Sequence, residues 1–211
     1  ISCYNLTDGE ASIGLTGGTA PFYYTWSHAA VNNDTIIGLG MDTFTVLVVD
    51  ANGCEVRDTL ILNQPDSLNA QAKVDSHVLC HGLKTGKASL SVAGGTGKMT
   101  YAWSNSSMDK DLTKVPAGAY QVAVTDANGC LDSSEITINE PSQLAAGALK
   151  GDTSVCSGTA PSKITQVTAT SGGVGSYTYQ WQMSTDSLNW STISGETAVD
   201  YQPMAVAGNT W

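Results

Sequence analysis

The feature that most constrains the fold of this chain is an internal repeat. One set of residues recurs 77 positions later. Its first members are Cys3, Gly9, Gly17, Gly18, Thr19, Tyr24 and Trp26, and its second members are Cys80, Gly86, Gly94, Gly95, Thr96, Tyr101 and Trp103. After one deletion the offset becomes 76, and the pentapeptide Asp-Ala-Asn-Gly-Cys at 50–54 recurs at 126–130. Repetition at a fixed period indicates stacked modules, each about 75 residues long.

A third copy begins in the same way and then departs. Its matching residues are Cys156, Gly172, Gly173, Tyr179 and Trp181, and it has no Asp-Ala-Asn-Gly-Cys pentapeptide. We therefore predict three modules, which we call the first (residues 1–66), the second (67–142) and the third (143–211). We expect the first module to lack the initial strand that residues 70–74 give the second. We expect the third to be incomplete at its C-terminal end.

Alternating apolar and polar residues predict β-strands throughout the repeat. The clearest runs are residues 44–49, 120–125, 135–139 and 177–182, each bounded by Gly, Asn, Asp or Pro. Because no stretch keeps helical apolar spacing over three turns, we predict an all-β fold of tandem immunoglobulin-like β-sandwich modules arranged as a rod. Trp26 and Trp103 are expected in the cores. Tyr120 is expected to form a tyrosine corner, which Phe44 at the equivalent position cannot form.

The cysteines indicate disulfide bonds and an oxidising compartment. Cys3 and Cys54 lie 51 positions apart, and Cys80 and Cys130 lie 50 apart. The matched spacing predicts one bond within each of the first two modules, Cys3–Cys54 and Cys80–Cys130, with buried free thiols as the alternative. Cys156 has no partner in this pattern, and we expect it to be unpaired.

Charge and motif content exclude several classes of function. The chain has 19 acidic and 9 basic residues, a net charge of −10 at pH 7, which disfavours nucleic acid and anionic membrane surfaces as partners. No apolar run reaches the roughly 20 residues of a membrane-spanning helix, so we expect no membrane insertion. Nucleophile-elbow, zinc-protease, phosphate-loop and dinucleotide motifs are missing from the sequence. We therefore predict no catalytic residues, no cofactor and no enzymatic activity.

The repeated motifs together resemble the SprB repeat. The resemblance lies in the first cysteine, Gly-Gly-Thr, Tyr-x-Trp-Ser, Asp-Ala-Asn-Gly-Cys and the following Gln-Pro or Glu-Pro, and it covers about residues 1–142. SprB repeats occur in very large cell-surface adhesins of Bacteroidota gliding motility, and the third module resembles immunoglobulin-like modules of the same kind of exported protein. The resemblance implies type IX secretion and an extracellular location at the cell surface. It also implies the export and motility machinery of the cell envelope as partners.

Two kinds of candidate site follow. Asp50 and Asp126 are calcium candidates, since acidic adhesin modules often hold calcium with carboxylate and amide oxygens; the alternative is that each closes its hairpin as an Asx turn. Exported Bacteroidota proteins carry O-glycans at Asp-Ser and Asp-Thr motifs. The candidate acceptors by this resemblance are Thr35, Thr59, Ser67 and Ser187.

The sequence favours a non-enzymatic segment of a large, repetitive adhesin that acts as a structural and adhesive rod in surface adhesion and gliding motility. Its expected partners are neighbouring repeats of the same chain and an unknown surface or polysaccharide target. The alternative is an accessory polysaccharide-binding or spacer module of a secreted enzyme. For that alternative, Tyr23, Trp190 and Trp211 are the aromatic residues left over for sugar contacts.

Overall fold

The structure, a computed structural model, describes residues 1–151 and 154–205, and its regular elements are all strands. In chain order these are β1 (Gly9–Ser12), β2 (Tyr23–Trp26), β3 (Thr35–Leu39), β4 (Asp42–Val49), β5 (Glu55–Leu62), β6 (Asn69–Ser76), β7 (Gly86–Ala93), β8 (Thr100–Trp103), β9 (Leu112–Val115), β10 (Gly118–Thr125), β11 (Leu131–Ile138), β12 (Ala148–Lys150), β13 (Thr165–Thr168), β14 (Gln182–Met183) and β15 (Ser191–Thr192). Within these residues, no helix is long and apolar enough to cross a membrane.

The second module is a complete two-sheet sandwich. One antiparallel sheet has the order β6-β7-β9 and the other has the order β11-β10-β8. β10 pairs with β11 from Gly118 opposite Ile138 to Thr125 opposite Leu131. Alternate residues of β10 therefore point inward, and Val122 and Val124 are fully buried.

β6 links the two sheets of the second module. It pairs with β7, with Ala70 opposite Val92. It also lies against β11, where the Ala70 N–H donates to Asp132 Oδ2 at 2.6 Å and the Ala72 N–H donates to Ser134 Oγ at 3.0 Å. This strand therefore closes one side of the sandwich.

The first module has the same plan with one strand fewer. Its sheets are β1-β3 and β2-β4-β5, and they enclose a core of Ala11, Trp26, Ile36, Leu39, Phe44, Val46 and Val48. Among the described residues, none occupies the position that β6 fills in the second module. As a result β5 is exposed along its length, apart from the half-buried Leu62.

The structure confirms the predicted roles of three aromatic residues. Trp26 and Trp103 are buried, and their indole N–H groups donate to the carbonyls of Asn33 at 2.9 Å and Asp109 at 3.0 Å. The Tyr120 hydroxyl donates to the Pro116 carbonyl at 2.8 Å, which confirms the tyrosine corner of the second module.

The third module is more open. Its strands form two short pairs, β12 with β13 and β14 with β15, and bridges join Ala145 to Ser171 and Ile164 to Tyr201. Trp181 is half-buried and stacks on Tyr201 with ring centroids 5.2 Å apart. Among the described residues of this module, none is fully buried.

The strands confirm the all-β prediction, with β-sandwich modules in the first two copies. The predicted module limits stay a prediction. The described strands fall on either side of them, since β5 ends at Leu62, β6 begins at Asn69, β11 ends at Ile138 and β12 begins at Ala148.

Candidate functional site at the first module junction

Each module contains a turn that starts at its first cysteine, and we call it the cysteine-led turn. The Leu6 N–H donates to the Cys3 carbonyl at 3.2 Å, and the same bond closes the turns that start at Cys80 and Cys156. The third residue of each turn has a positive φ: 60° at Asn5, 75° at Gly82 and 83° at Gly158. Asn and Gly are the residues that adopt this conformation most readily, which accounts for their presence there.

The cysteine-led turn is fixed to the end of the module's last long strand. In the first module the Asn5 N–H donates to Gln64 Oε1 at 2.9 Å, just beyond β5. In the second module the Gly82 N–H donates to Glu140 Oε2 at 2.7 Å, just beyond β11, and His81 Nδ1 lies 3.1 Å from Glu140 Oε1. The first cysteine therefore lies at the C-terminal end of that strand.

The Asp-Ala-Asn-Gly-Cys hairpin is built around its aspartate. In the second module Asp126 Oδ1 accepts the N–H groups of Asn128 and Cys130, each at 2.9 Å, and Oδ2 accepts the Thr96 N–H at 2.7 Å. In the first module Asp50 accepts the N–H groups of Asn52, Cys54 and Thr19 at 2.9, 2.8 and 3.1 Å. Both carboxylates are buried, and each accepts three backbone N–H bonds.

These bonds set the charge state and the role of the two aspartates. Hydrogen bonding from the Cys54 N–H, with help from Thr19 and Asn52, lowers the pKa of Asp50 below its ordinary value despite burial. At Asp126 burial acts to raise the pKa, but the N–H groups of Cys130, Thr96 and Asn128 outweigh it and the pKa is lowered. The structure shows the Asx turn at both residues, and calcium binding there stays a prediction. The described residues contain no cluster of three or more His, Cys, Asp or Glu side chains that would hold a metal ion.

The predicted bonds within modules, Cys3–Cys54 and Cys80–Cys130, are wrong. Cys130 directly precedes β11, whereas the turn at Cys80 lies at the other end of that strand, where the Val78 N–H donates to the Asn139 carbonyl at 2.9 Å. Eight strand residues span about 26 Å, and a disulfide requires Cα atoms no more than about 7 Å apart. The first module has the same arrangement around β5. Its two cysteines therefore also lie at opposite ends.

The structure instead joins the two modules. Cys3 of the first module is bonded to Cys130 of the second, with Cα atoms 5.7 Å apart. The Asn128 side-chain amide donates to the Ser2 carbonyl at 2.9 Å and adds a second contact at the same point. The cysteine-led turn of one module is thus fastened to the hairpin of the next. Among the described residues, Cys54, Cys80 and Cys156 are exposed free thiols.

The loop that carries Cys3 is held in place on the first module. The Ser2 N–H donates to Asp8 Oδ1 at 3.0 Å, and the Ser2 hydroxyl also donates to the Asp8 carboxylate. The side-chain bond, followed by the backbone bond, lowers the pKa of Asp8. The carbonyl that receives Asn128 is therefore positioned by bonds within the first module.

The remaining candidate residues lie apart from this junction. Of the glycosylation candidates, Thr59, Ser67 and Ser187 are exposed, and Thr35 is half-buried. The Asp186 carboxylate beside Ser187 is occupied by the N–H groups of Asn189 and Leu188, and these bonds lower its pKa.

The leftover aromatic residues do not form one surface within a module. Tyr23 is exposed in the first module and Trp190 in the third, and Trp211 lies outside the described residues.

Comparison with known families identifies the repeat. The family described as SprB repeat matches residues 1–31 and 76–108, which confirms that the first two modules carry SprB repeats. A domain of unknown function, DUF8696, matches residues 145–211, and the immunoglobulin-like character of the third module stays a prediction. No curated protein matches the chain. SprB repeats are structural modules typical of exported cell-surface proteins, so their presence suggests a cell-surface adhesin-type module and an extracellular location.

Proposed function

We propose that this chain is a non-enzymatic segment of a large cell-surface adhesin, in which successive SprB-type modules form a semi-rigid rod used in surface adhesion and gliding motility. We further propose that the parent protein is exported by the type IX system and is moved by the motility machinery of the cell envelope. Its target is a surface or a surface polysaccharide.

The observation that carries this proposal is the head-to-tail junction. The cysteine-led turn lies at one end of a module and the hairpin at the other, and the Cys3–Cys130 bond joins unlike ends of two similar units. Contacts between unlike ends of identical units extend as an open filament unless the rotation closes a ring. A chain of such modules therefore suits an extended surface fibre.

The junction also supports stiffness. Two tethers connect the modules: the polypeptide through Asn63, Gln64 and Pro65, and the Cys3–Cys130 bond. Proline restricts the backbone of the first tether. Two attachment points remove hinge freedom that a single flexible linker would leave, so force applied at one end is transmitted along the modules.

The rod is tested by releasing the second tether. In Cys3→Ser the only covalent connection between the modules is residues 63–68. We expect small-angle scattering to show a broader distribution of overall dimensions than in the parent chain, with unchanged circular dichroism. Cys156→Ser serves as the matched control because that thiol is free and exposed. Identical scattering for the parent chain and Cys3→Ser would argue against a stiff junction.

The adhesive role is tested on cells that produce the parent protein. Antibody fragments raised against this chain are expected to label intact cells and to reduce both attachment to glass and gliding speed. Labelling only after permeabilisation would contradict the proposed location. Labelling without any effect on attachment or gliding would favour a spacer role, and binding of the isolated chain to a glycan array would favour the polysaccharide-binding alternative.

A further inference from the structure

Cys54 occupies the position in the first module that Cys130 occupies in the second. Both end the same hairpin, and both donate their N–H to the aspartate that organises it. Cys130 is half-buried and carries the bond to Cys3, whereas Cys54 is an exposed thiol.

The neighbouring asparagine shows the same difference. The Asn128 side chain donates to Ser2 of the preceding module. The Asn52 side chain turns back within its own module and donates to Thr19 Oγ1 at 3.0 Å. The first module therefore presents the hairpin that receives a cysteine-led turn, with its two contacting groups uncommitted to a neighbour.

A second observation points to the same partner. A cavity of about 510 Å³ opens beside Cys54, between residues 13–18 and residues 55–58. In the second module the equivalent residues of β7 and β11 are covered by β6, which leads in from the linker to the preceding module. The cavity therefore lies on the surface that is equivalent to the one β6 covers in the second module. The shape of the first module thus matches a linked SprB-type module at this end.

We infer that Cys54 is the acceptor for the cysteine-led turn of another SprB-type module, whose β6-type strand fills the cavity. SprB modules in series would then be joined by staggered disulfides, each from the first cysteine of one module to the hairpin cysteine of the next. This inference extends the proposed function, and only its biological purpose rests on that function. The pairing itself stands on the Cys3–Cys130 geometry.

The chemistry needs a disulfide oxidant such as oxidised glutathione. The thiolate of one cysteine attacks the oxidant and releases one thiol, and the thiolate of the second cysteine then displaces the other. Two cysteine thiols lose two electrons and two protons, and the oxidant is reduced to two thiols.

Cys80 provides an internal contrast. It starts a cysteine-led turn, but the third module has no Asp-Ala-Asn-Gly-Cys hairpin to meet it. Its turn instead borders a cavity of about 670 Å³ shared with residues 142–144 and 173–179. Within residues 1–211 the staggered scheme therefore offers no hairpin cysteine to Cys80 or Cys156.

The experiment places a further SprB-type module before the full chain. A second copy of residues 1–77 is placed directly before Ile1, so that the repeat offset is kept and a β6-type strand leads into the first module. The added copy carries Cys54→Ser, which removes its own hairpin thiol, and Tyr4→Phe as a mass label. Both chains are refolded with glutathione, and their disulfides are mapped by mass spectrometry without reduction.

We expect the parent chain to show three free thiols, Cys54, Cys80 and Cys156. The extended chain gains a cysteine, yet we expect it to keep only Cys80 and Cys156 free, because Cys3 of the added copy bonds to Cys54. With Cys3→Ser in the added copy, Cys54 should remain free and the count should return to that of the parent.

The Cys3–Cys130 bond in the same molecules reports whether a junction forms at all. If that bond is present while Cys54 stays free, the inference is overturned. If Cys3 bonds to Cys54 in the parent chain, the Cys3–Cys130 pairing is contradicted, and the staggered scheme that is argued from it is wrong. The surface-labelling experiment does not depend on either map, so failure of the disulfide scheme and failure of the adhesin proposal are distinguishable.

Discussion

The first and second modules share their strand order and their hairpin, yet the second buries eleven core residues and the first buries seven. β6 accounts for part of this difference. In the second module β6 adds Ala70 to the core and covers β7 and β11. In the first, the equivalent surfaces of β1 and β5 stay open.

The effect is clearest on the last long strand of each module. β11 alternates between exposed and half-buried residues and ends in the buried Ile138. β5 is exposed almost throughout, with Val56 51 % and Ile61 65 % accessible. Among the described residues, similar sequences therefore reach different burial because a β6-type strand lies against the second module and none lies against the first. In the second module, the strand that follows the linker therefore completes the sandwich.

The largest expected effect comes from alanine at the first glycine of the Gly-Gly loop. At Gly94 φ is 67°, and an added Cβ would lie 2.0 Å from the Ser67 carbonyl oxygen. Left-handed strain of about 1–2 kcal/mol and overpacking of about 1–3 kcal/mol together predict that Gly94→Ala destabilises the second module by about 2–5 kcal/mol. Urea unfolding followed by amide signals of each module measures this.

Gly17→Ala is the matched control. Gly17 also has a positive φ, 90°, but no atom lies within 4 Å of an added Cβ, since none of the described residues takes the place of the linker that crowds Gly94. Only the strain of about 1–2 kcal/mol applies. Equal losses at the two positions would show that the incoming linker does not pack on this loop, and the contrast between the modules would fail.

A smaller effect, similar in both modules, is expected at the hairpin aspartates. Asp126→Asn and Asp50→Asn each remove the charge that three backbone N–H groups stabilise, and each should lower the midpoint of thermal unfolding by several degrees at pH 7. Glu135→Gln is the control, because Glu135 is exposed on β11 and its carboxylate makes no hydrogen bond among the described contacts.

The same aspartates predict an acid dependence. Their pKa values are lowered in the folded chain from 3.8. Their contribution to stability is therefore present above pH 3.8 and is lost as the pH falls through the folded values. The asparagine variants should lose less stability than the parent over this acid range. Parallel pH curves for variants and parent would contradict the role given to the carboxylates.

Local features of the fold were predictable from the sequence because local chemistry determines them. Alternating apolar and polar residues predicted β4 and β10, and the Asn and Gly residues predicted the hairpins. The tyrosine corner followed from Pro116, Gly118 and Tyr120. The Asx turn at Asp50 and Asp126 was one of two alternatives. The aspartate that begins Asp-Ala-Asn-Gly can accept backbone N–H groups of its own turn, and its carboxylate can also bind a cation.

The disulfide partner was not predictable from spacing. Cys3–Cys54 and Cys80–Cys130 have matching separations, but a separation along the chain does not say at which end of a strand each cysteine lies. The decisive contacts, from Asn5 to Gln64 and from Gly82 to Glu140, link residues far apart in sequence. One feature of the sequence could have indicated the correct partner. An eight-residue strand follows each hairpin cysteine, and it separates that cysteine from the end of the module where the first cysteine lies.

The smallest expected effect is at the tyrosine corner, where the two modules differ by one hydroxyl group. Tyr120→Phe gives the second module the residue that the first has at Phe44, and it removes the bond to the Pro116 carbonyl. We expect a loss of about 1 kcal/mol. Tyr101→Phe is the control, because its hydroxyl makes no hydrogen bond among the described contacts.

Burial raises the pKa of Tyr120 above 10.0, so its contribution is present below pH 10 and is lost as the pH rises through the folded value. Tyr120→Phe should therefore reduce the alkaline loss of stability in the second module and leave the first unchanged. If both tyrosine variants cost the same, the corner is a packing feature shared with Phe44 and its hydrogen bond does not distinguish the modules.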